Sequence, residues 1–172
     1  MAGMIVLFQG RKGSGKTLSM TFWGLVYKKA GWKLMSNYAL KGIERFDKDF
    51  LYKLNTDSSI KNIVLLVDEL PLYFDARLWK GKKAIGFSQF IQQIRKRNII
   101  ILGTAQFIGL VELRIRQNSD VLVKCKFDKK QQKCVNTIYD ITSLEDSKTP
   151  NYFKLKFNAP FIYPYYDTKE IL

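Results

Sequence analysis

Gly10-Arg11-Lys12-Gly13-Ser14-Gly15-Lys16-Thr17 fits the pattern G-x-x-x-x-G-K-[ST] without a mismatch, and the chemistry this pattern supports is the binding of phosphate. Glycines let successive backbone N–H groups converge on phosphate oxygens, and a helix starting behind them adds its partial positive charge. A nucleoside triphosphate is therefore expected against Gly10, Lys12, Gly13, Ser14, Gly15, Lys16 and Thr17. Lys16 should reach the β and γ phosphates, and the Thr17 hydroxyl should ligate a magnesium ion that bridges them.

A second constellation decides between binding and hydrolysis. Ile63 to Val67 is an apolar run that ends in Asp68-Glu69. As a strand it delivers Asp68 to the carboxyl end of a sheet, where a carboxylate can hold the magnesium shell, and Glu69 can deprotonate an attacking water. Gln106 closely follows another apolar strand, Ile99 to Leu102, so its amide should emerge at the same edge and sense the γ-phosphate or the water. An arginine that stabilises transition-state charge can come from a neighbouring subunit and carries no local signature. Arg77, Arg95, Arg97, Arg114 and Arg116 all qualify, with Arg116 and Arg114 ranked first because their segment follows the Gln106 loop.

Positioning these groups requires an α/β architecture. Met4 to Phe8 is of strand length, Gly10 to Gly15 forms the loop, and a helix is expected from Lys16 to about Ala30, ended by Gly31. Lys33 to Tyr38 reads as a second strand, and the basic connection from Lys41 to Asn62 has no legible structure. Ile63 to Val67 is apolar on both faces, as central strands of parallel sheets are. Phe87, Phe90, Ile91 and Ile94 have helical spacing within Gly86 to Arg97. From Val121 onward the pattern changes to an antiparallel hairpin, Val121 to Phe127 and Val135 to Ile141, with Tyr152 to Phe157 as a candidate edge strand. The aromatic residues after Pro150 are expected mainly as packing residues.

The length of 172 residues suits one domain, residues 1–172, with 47% hydrophobic residues to build its core. The formal net charge of +14 points to a polyanionic partner, nucleic acid first. Basic segments at Lys80 to Lys83, Arg95 to Arg97 and Lys124 to Lys133 suit contacts to phosphate without sequence preference. The chain has no histidine, which excludes metal chemistry through imidazole, and Cys125 and Cys134 read as buried reduced thiols. Met1 to Phe8 lacks the features of a signal peptide, and no apolar run reaches the roughly 18 residues of a membrane span, so a soluble cytoplasmic protein is expected.

Together, Gly10 to Thr17, Ile63 to Leu70 with its Asp-Glu pair, and Arg95 to Phe107 with Thr104-Ala105-Gln106 resemble the FtsK and HerA superfamily of DNA-pumping ATPases. Within it, the chain is similar to viral genome-packaging ATPases and to the ATPase part of Zot-like filamentous phage assembly proteins, the latter also through Ser36-Asn37-Tyr38, Arg77 and Tyr165-Tyr166-Asp167-Thr168. The resemblance implies a RecA-like core, a homohexameric ring with ATP and Mg2+ between subunits, and double-stranded DNA passing through the middle. It places Lys16 and Thr17 on ATP and magnesium, Asp68 and Glu69 in hydrolysis, and Gln106 as sensor. Zot-like proteins usually continue into a membrane segment and an outer domain that this chain lacks, which favours packaging into a capsid, with a capsid or virion protein as partner. Coupling ATP to virion extrusion through protein partners is the alternative.

Overall fold

In this computed structural model, which describes residues 3–74, 89–142 and 151–166, one eight-stranded sheet runs through the chain. Its strands are β1 (Met4–Gln9), β2 (Lys33–Ser36), β3 (Glu44–Arg45), β4 (Ile63–Val67), β5 (Ile99–Ala105), β6 (Val121–Asp128), β7 (Lys133–Asp140) and β8 (Tyr152–Asn158), in the order β3-β2-β4-β5-β1-β6-β7-β8. Pairing is parallel from β3 to β6, and β7 and β8 join antiparallel. The sheet is thus the mostly parallel RecA-like sheet expected, and the hairpin gains β8 as a third strand.

Every residue of β4 and β5 is buried, which requires cover on both faces. Helix α1 (Lys16–Lys29) supplies it on one side, where Met20 packs among Val6, Phe8, Val64, Leu66, Ile100 and Leu102. On the other side, Leu54 of α2 (Lys48–Thr56), Leu70 of α3 (Leu70–Tyr73), Ile91 of the helical residues 89–93 (α4) and Ile115 of α5 (Leu113–Gln117) close over Ile5, Leu7, Leu65 and Ile101. The two clusters take alternate residues of the same strands, the period-two consequence of the pleat.

Three expectations shift. Strand β2 stops at Ser36 because the Asn37 side chain turns to the backbone of Asp68. The connection from Lys41 to Asn62 contains β3 and α2; Asp47 caps α2 by accepting the Phe50 N–H at 2.9 Å, and Leu51 and Leu54 bury its inner face. The helix expected up to Arg97 ends in turns after residue 93, where Arg97 bends away to bind carbonyl groups. Phe87, Arg77, Lys80 to Lys83, Asp167 and Thr168 lie outside the described residues. Cys125 and Cys134 are free and buried; burial pushes the Cys125 thiol up to about 12 and that of Cys134 up to about 11. Among the described residues no helix is long and apolar enough to cross a membrane.

Candidate active site

Strand β1 ends at Gln9, beside the end of β5, where the Gly10 N–H donates to the Ala105 carbonyl at 3.4 Å. The chain then turns through residues 10–15 into α1. Gly10 leaves no room for a side chain, because a Cβ there would meet the Ser14 hydroxyl and lie 2.9 Å from the Cys125 carbonyl oxygen. Gly13 and Gly15 adopt φ of 75° and 78°, and a Cβ on Gly15 would also press on Cys134 Sγ at 3.2 Å and Phe127 Cβ at 3.3 Å.

What this loop leaves unfinished is informative. Helix α1 starts at Gly15 without a side-chain cap and has no acidic residue in its first turn, so its leading N–H groups keep capacity for an anion. Ser14 Oγ is buried without a partner. Lys16 is buried, and among the described residues its Nζ makes a single 3.4 Å contact, to the Arg11 carbonyl across the loop. Lys12 is exposed on the outside of the turn.

The second constellation comes to the same edge. Thr17 Oγ1 stands 3.1 Å from each carboxylate oxygen of Asp68. Thr104 Oγ1 donates to Asp68 Oδ1 at 2.6 Å and accepts the Glu69 N–H at 3.0 Å. Buried Asn37 brackets the Asp68 backbone, its Nδ2 donating to the carbonyl at 2.9 Å and its Oδ1 accepting the N–H at 2.8 Å. Glu69 sits in the left-handed region at φ 52°, ψ 57°, a conformation that costs a non-glycine residue about 1 kcal/mol and turns the chain from β4 into α3. Among the described residues its carboxylate makes no hydrogen bond or ion pair. Gln106 follows β5 directly and is half-buried beside the start of the loop.

Thr17 and Asp68 form an all-oxygen pair suited to a hard cation, and no cluster of three carboxylate or thiol groups lies among the described residues. A magnesium ion held there would complete its shell with phosphate oxygens and water, and would neutralise charge on the phosphates during transfer.

Among the described residues the arginines fall into two groups. Arg97 donates to the carbonyls of Leu54 at 2.5 Å, Asp57 at 2.7 Å and Ile60 at 2.9 Å, and Arg95 pairs with Asp120 at 2.5 Å; both precede β5, at the opposite edge of the sheet. Buried Arg97 is structural, whereas Arg95 is exposed in its ion pair and Lys96 between them is exposed. Arg114 binds Glu112 at 2.6 Å, and Arg116 Nε is buried without a partner. Both stand on α5, on the sheet face away from α1, and neither touches the Thr17–Asp68 pair.

Sequence reasoning also missed contributors. Thr104 was visible as the one side-chain hydroxyl in the apolar run of β5, and Asn37 as a polar residue ending β2. The aromatic tail was expected to pack, yet Tyr152, Phe153, Phe161, Tyr163 and Tyr165 are exposed. Tyr163 and Tyr166, with Phe127 and Lys129 of the hairpin, line a cleft of about 540 Å³ over Gly13, Lys16 and Thr17.

No protein-family model and no curated protein sequence matches the chain. Solved structures do. The N-terminal domain of zonular occludens toxin from Neisseria meningitidis superposes with a TM-score of 0.65 at 17% identity, covering 97% of this chain and 100% of that one. The genome-packaging NTPase B204 from Sulfolobus turreted icosahedral virus 2 gives 0.62 at 18% identity, covering 92% and 99%. The flagellar accessory protein FlaH from Methanocaldococcus jannaschii gives 0.55 at 10% identity, covering 81% and 78%. The fold is that of a P-loop NTPase. In this P-loop sheet, β5 lies between the strand feeding the phosphate loop and the strand carrying Asp68, which brings Thr104 and Gln106 between the two motifs.

Proposed function

We propose that the chain is an ATP-hydrolysing motor that moves double-stranded DNA into a preformed viral capsid. The observation that carries the hydrolase part is the linked set Thr17–Asp68–Thr104–Glu69 beside an uncapped phosphate loop. In this reading Gly10, Lys12, Gly13, Ser14 and Gly15 cradle the phosphates, Lys16 neutralises the β and γ oxygens, and Thr17 and Asp68 hold magnesium. Glu69, whose carboxylate has no partner among the described residues, takes the proton of the attacking water, and Gln106 orients that water. Arg116, better placed than the engaged Arg114, serves as the finger toward a neighbouring subunit of a homohexameric ring. The names of the similar structures, a genome-packaging NTPase among them, support the viral setting, and a capsid or virion protein in the host cytoplasm is the docking partner.

Contact with DNA is supported by the hairpin. Lys124, Lys126, Lys154 and Lys156 are exposed, and the register Lys124↔Thr137↔Lys154 and Lys126↔Val135↔Lys156 puts all four on one face of β6, β7 and β8, opposite the face that bears Cys125 and Cys134. Such lysines grip phosphates of any sequence.

The test is steady-state ATP hydrolysis with and without duplex DNA at two salt concentrations. Stimulation that fades with salt is expected. Basal hydrolysis indifferent to DNA would instead favour the assembly and extrusion reading, which the likeness to the zonular occludens toxin domain supports; no hydrolysis at all would sink both.

A further inference from the structure

The residues after β8 form a strap over α1. Ala159 and Ile162 are buried beside Leu18 and Cys134, and just before them, near the end of β8, Phe157 stacks on Phe22 of α1 at 4.3 Å between ring centroids. One end is tied to the hairpin turn, where the Ala159 N–H donates to the Gln132 carbonyl at 2.9 Å and the Tyr163 hydroxyl donates to Gln132 Oε1 at 2.5 Å. The other end is tied across α1, where the Lys41 N–H donates to the Tyr165 carbonyl at 2.8 Å and Tyr166 meets Tyr38 edge-on. β6 pairs with β1 only as far as Gln9↔Lys124 and then continues to Asp128, so Phe127 rises beside the phosphate loop. The strap and Phe127 thus wall a cleft that runs on directly from the site of the phosphates.

That cleft is aromatic where it leaves the loop, and among the described residues no carboxylate or carboxamide side chain lines it. Tyr163 is 39% exposed, and its hydroxyl proton is committed to Gln132, so it presents its ring with no free donor. We propose that this cleft is the nucleoside subsite, that the base stacks on Tyr163 beside Phe127, and that the site accepts purine nucleoside triphosphates with little discrimination between adenine and guanine. Strong rejection of one purine requires buried polar partners that the wrong base leaves unpaired, and among the described residues the polar side chain that lines the cleft beside Phe127 and Tyr163 is Lys129, which is exposed rather than buried. The proposal rests on the phosphate-loop reading above and adds the substrate class.

Calorimetric titration of the magnesium salts of ATP, GTP and inorganic tripolyphosphate into the wild type, Tyr163→Ala and Tyr163→Phe tests it. ATP and GTP should bind the wild type within about tenfold of each other. Tyr163→Ala should weaken both about tenfold, the worth of one stacked base, and leave tripolyphosphate unaffected, whereas Tyr163→Phe should match the wild type. A larger ATP preference, an unaltered ATP affinity in Tyr163→Ala, or an equal loss for tripolyphosphate would overturn the stacking subsite. Failure of the wild type to bind any of the three, tripolyphosphate included, would overturn the phosphate-loop reading itself.

Discussion

The two edges of the parallel sheet treat their polar groups in opposite ways. At the edge where β4, β5 and β6 begin, most side-chain donors and acceptors are matched: Arg97 occupies three carbonyls, Asp120 takes both the Arg95 guanidinium and the Ile5 N–H, and Asn98 Nδ2 donates to Asn62, with Asn98 Oδ1 the exception among these groups. At the edge where β1, β4 and β5 end, the first turn of α1 has no side-chain cap and buried Ser14 Oγ has no partner, and half-buried Glu69 has no carboxylate partner among the described residues. A buried polar group without a partner costs about 1–3 kcal/mol, so a fold tolerates several together only where something else completes them. The first edge finishes the fold and the second awaits a ligand.

Substitutions at the two edges should differ in what they cost. The largest effect is expected at the unfinished edge: Lys16→Ala should abolish nucleotide binding or turnover, while Glu69→Gln should keep ATP affinity and lose roughly 10²–10⁴-fold in kcat. Normal turnover in Glu69→Gln, measured with a coupled ATPase assay, would remove the carboxylate from the chemistry. At the finished edge the ranking reverses. Arg97→Ala should lower stability in urea by about 3 kcal/mol, since it orphans three carbonyls, yet leave the ATP Kd unchanged in the folded fraction. Thr104→Val lies between the two, because Thr104 joins Asp68 to the Glu69 backbone; kcat should fall about tenfold with a stability loss of about 1–2 kcal/mol. A loss of stability with unchanged kcat would make Thr104 purely structural.

The smallest effect concerns the thiols beneath the loop. Held at about 12 and about 11 against an ordinary 9.0, Cys125 and Cys134 stay protonated in the fold beyond the pH at which an unfolded chain ionises them. Their contribution to stability is whole below pH 9 and is lost as pH rises toward 11 to 12. Ellman's reagent should therefore find both thiols unreactive at pH 8 until urea is added.

The legible parts of the sequence were those in which one local pattern carries the whole instruction. The loop from Gly10 to Thr17 and the run from Ile63 to Val67 each state their conformation in fewer than ten residues. The α2 segment did not, because its apolar residues, Phe50, Leu51 and Leu54, sit among charges and need the sheet to reveal an inner face. The arginines were illegible for another reason. Arg97 and Arg116 look alike in the chain, and only tertiary contacts decide that one saturates carbonyls while the other keeps a buried nitrogen unpaired. The strap could not be read at all, since its aromatics depend on α1 and the hairpin turn, both distant in sequence.

The position of β1 has a consequence for the order in which the molecule can assemble. Its two neighbours, β5 and β6, are supplied by residues 99–105 and 121–124, so the N-terminal strand has no partner while the first hundred residues leave the ribosome. Contacts that span so much chain fold slowly, because their loop-closure entropy must be met before any pairing rewards it. The phosphate loop therefore matures among the last parts of the sheet, once residues 99–105 and 121–124 have paired on either side of β1.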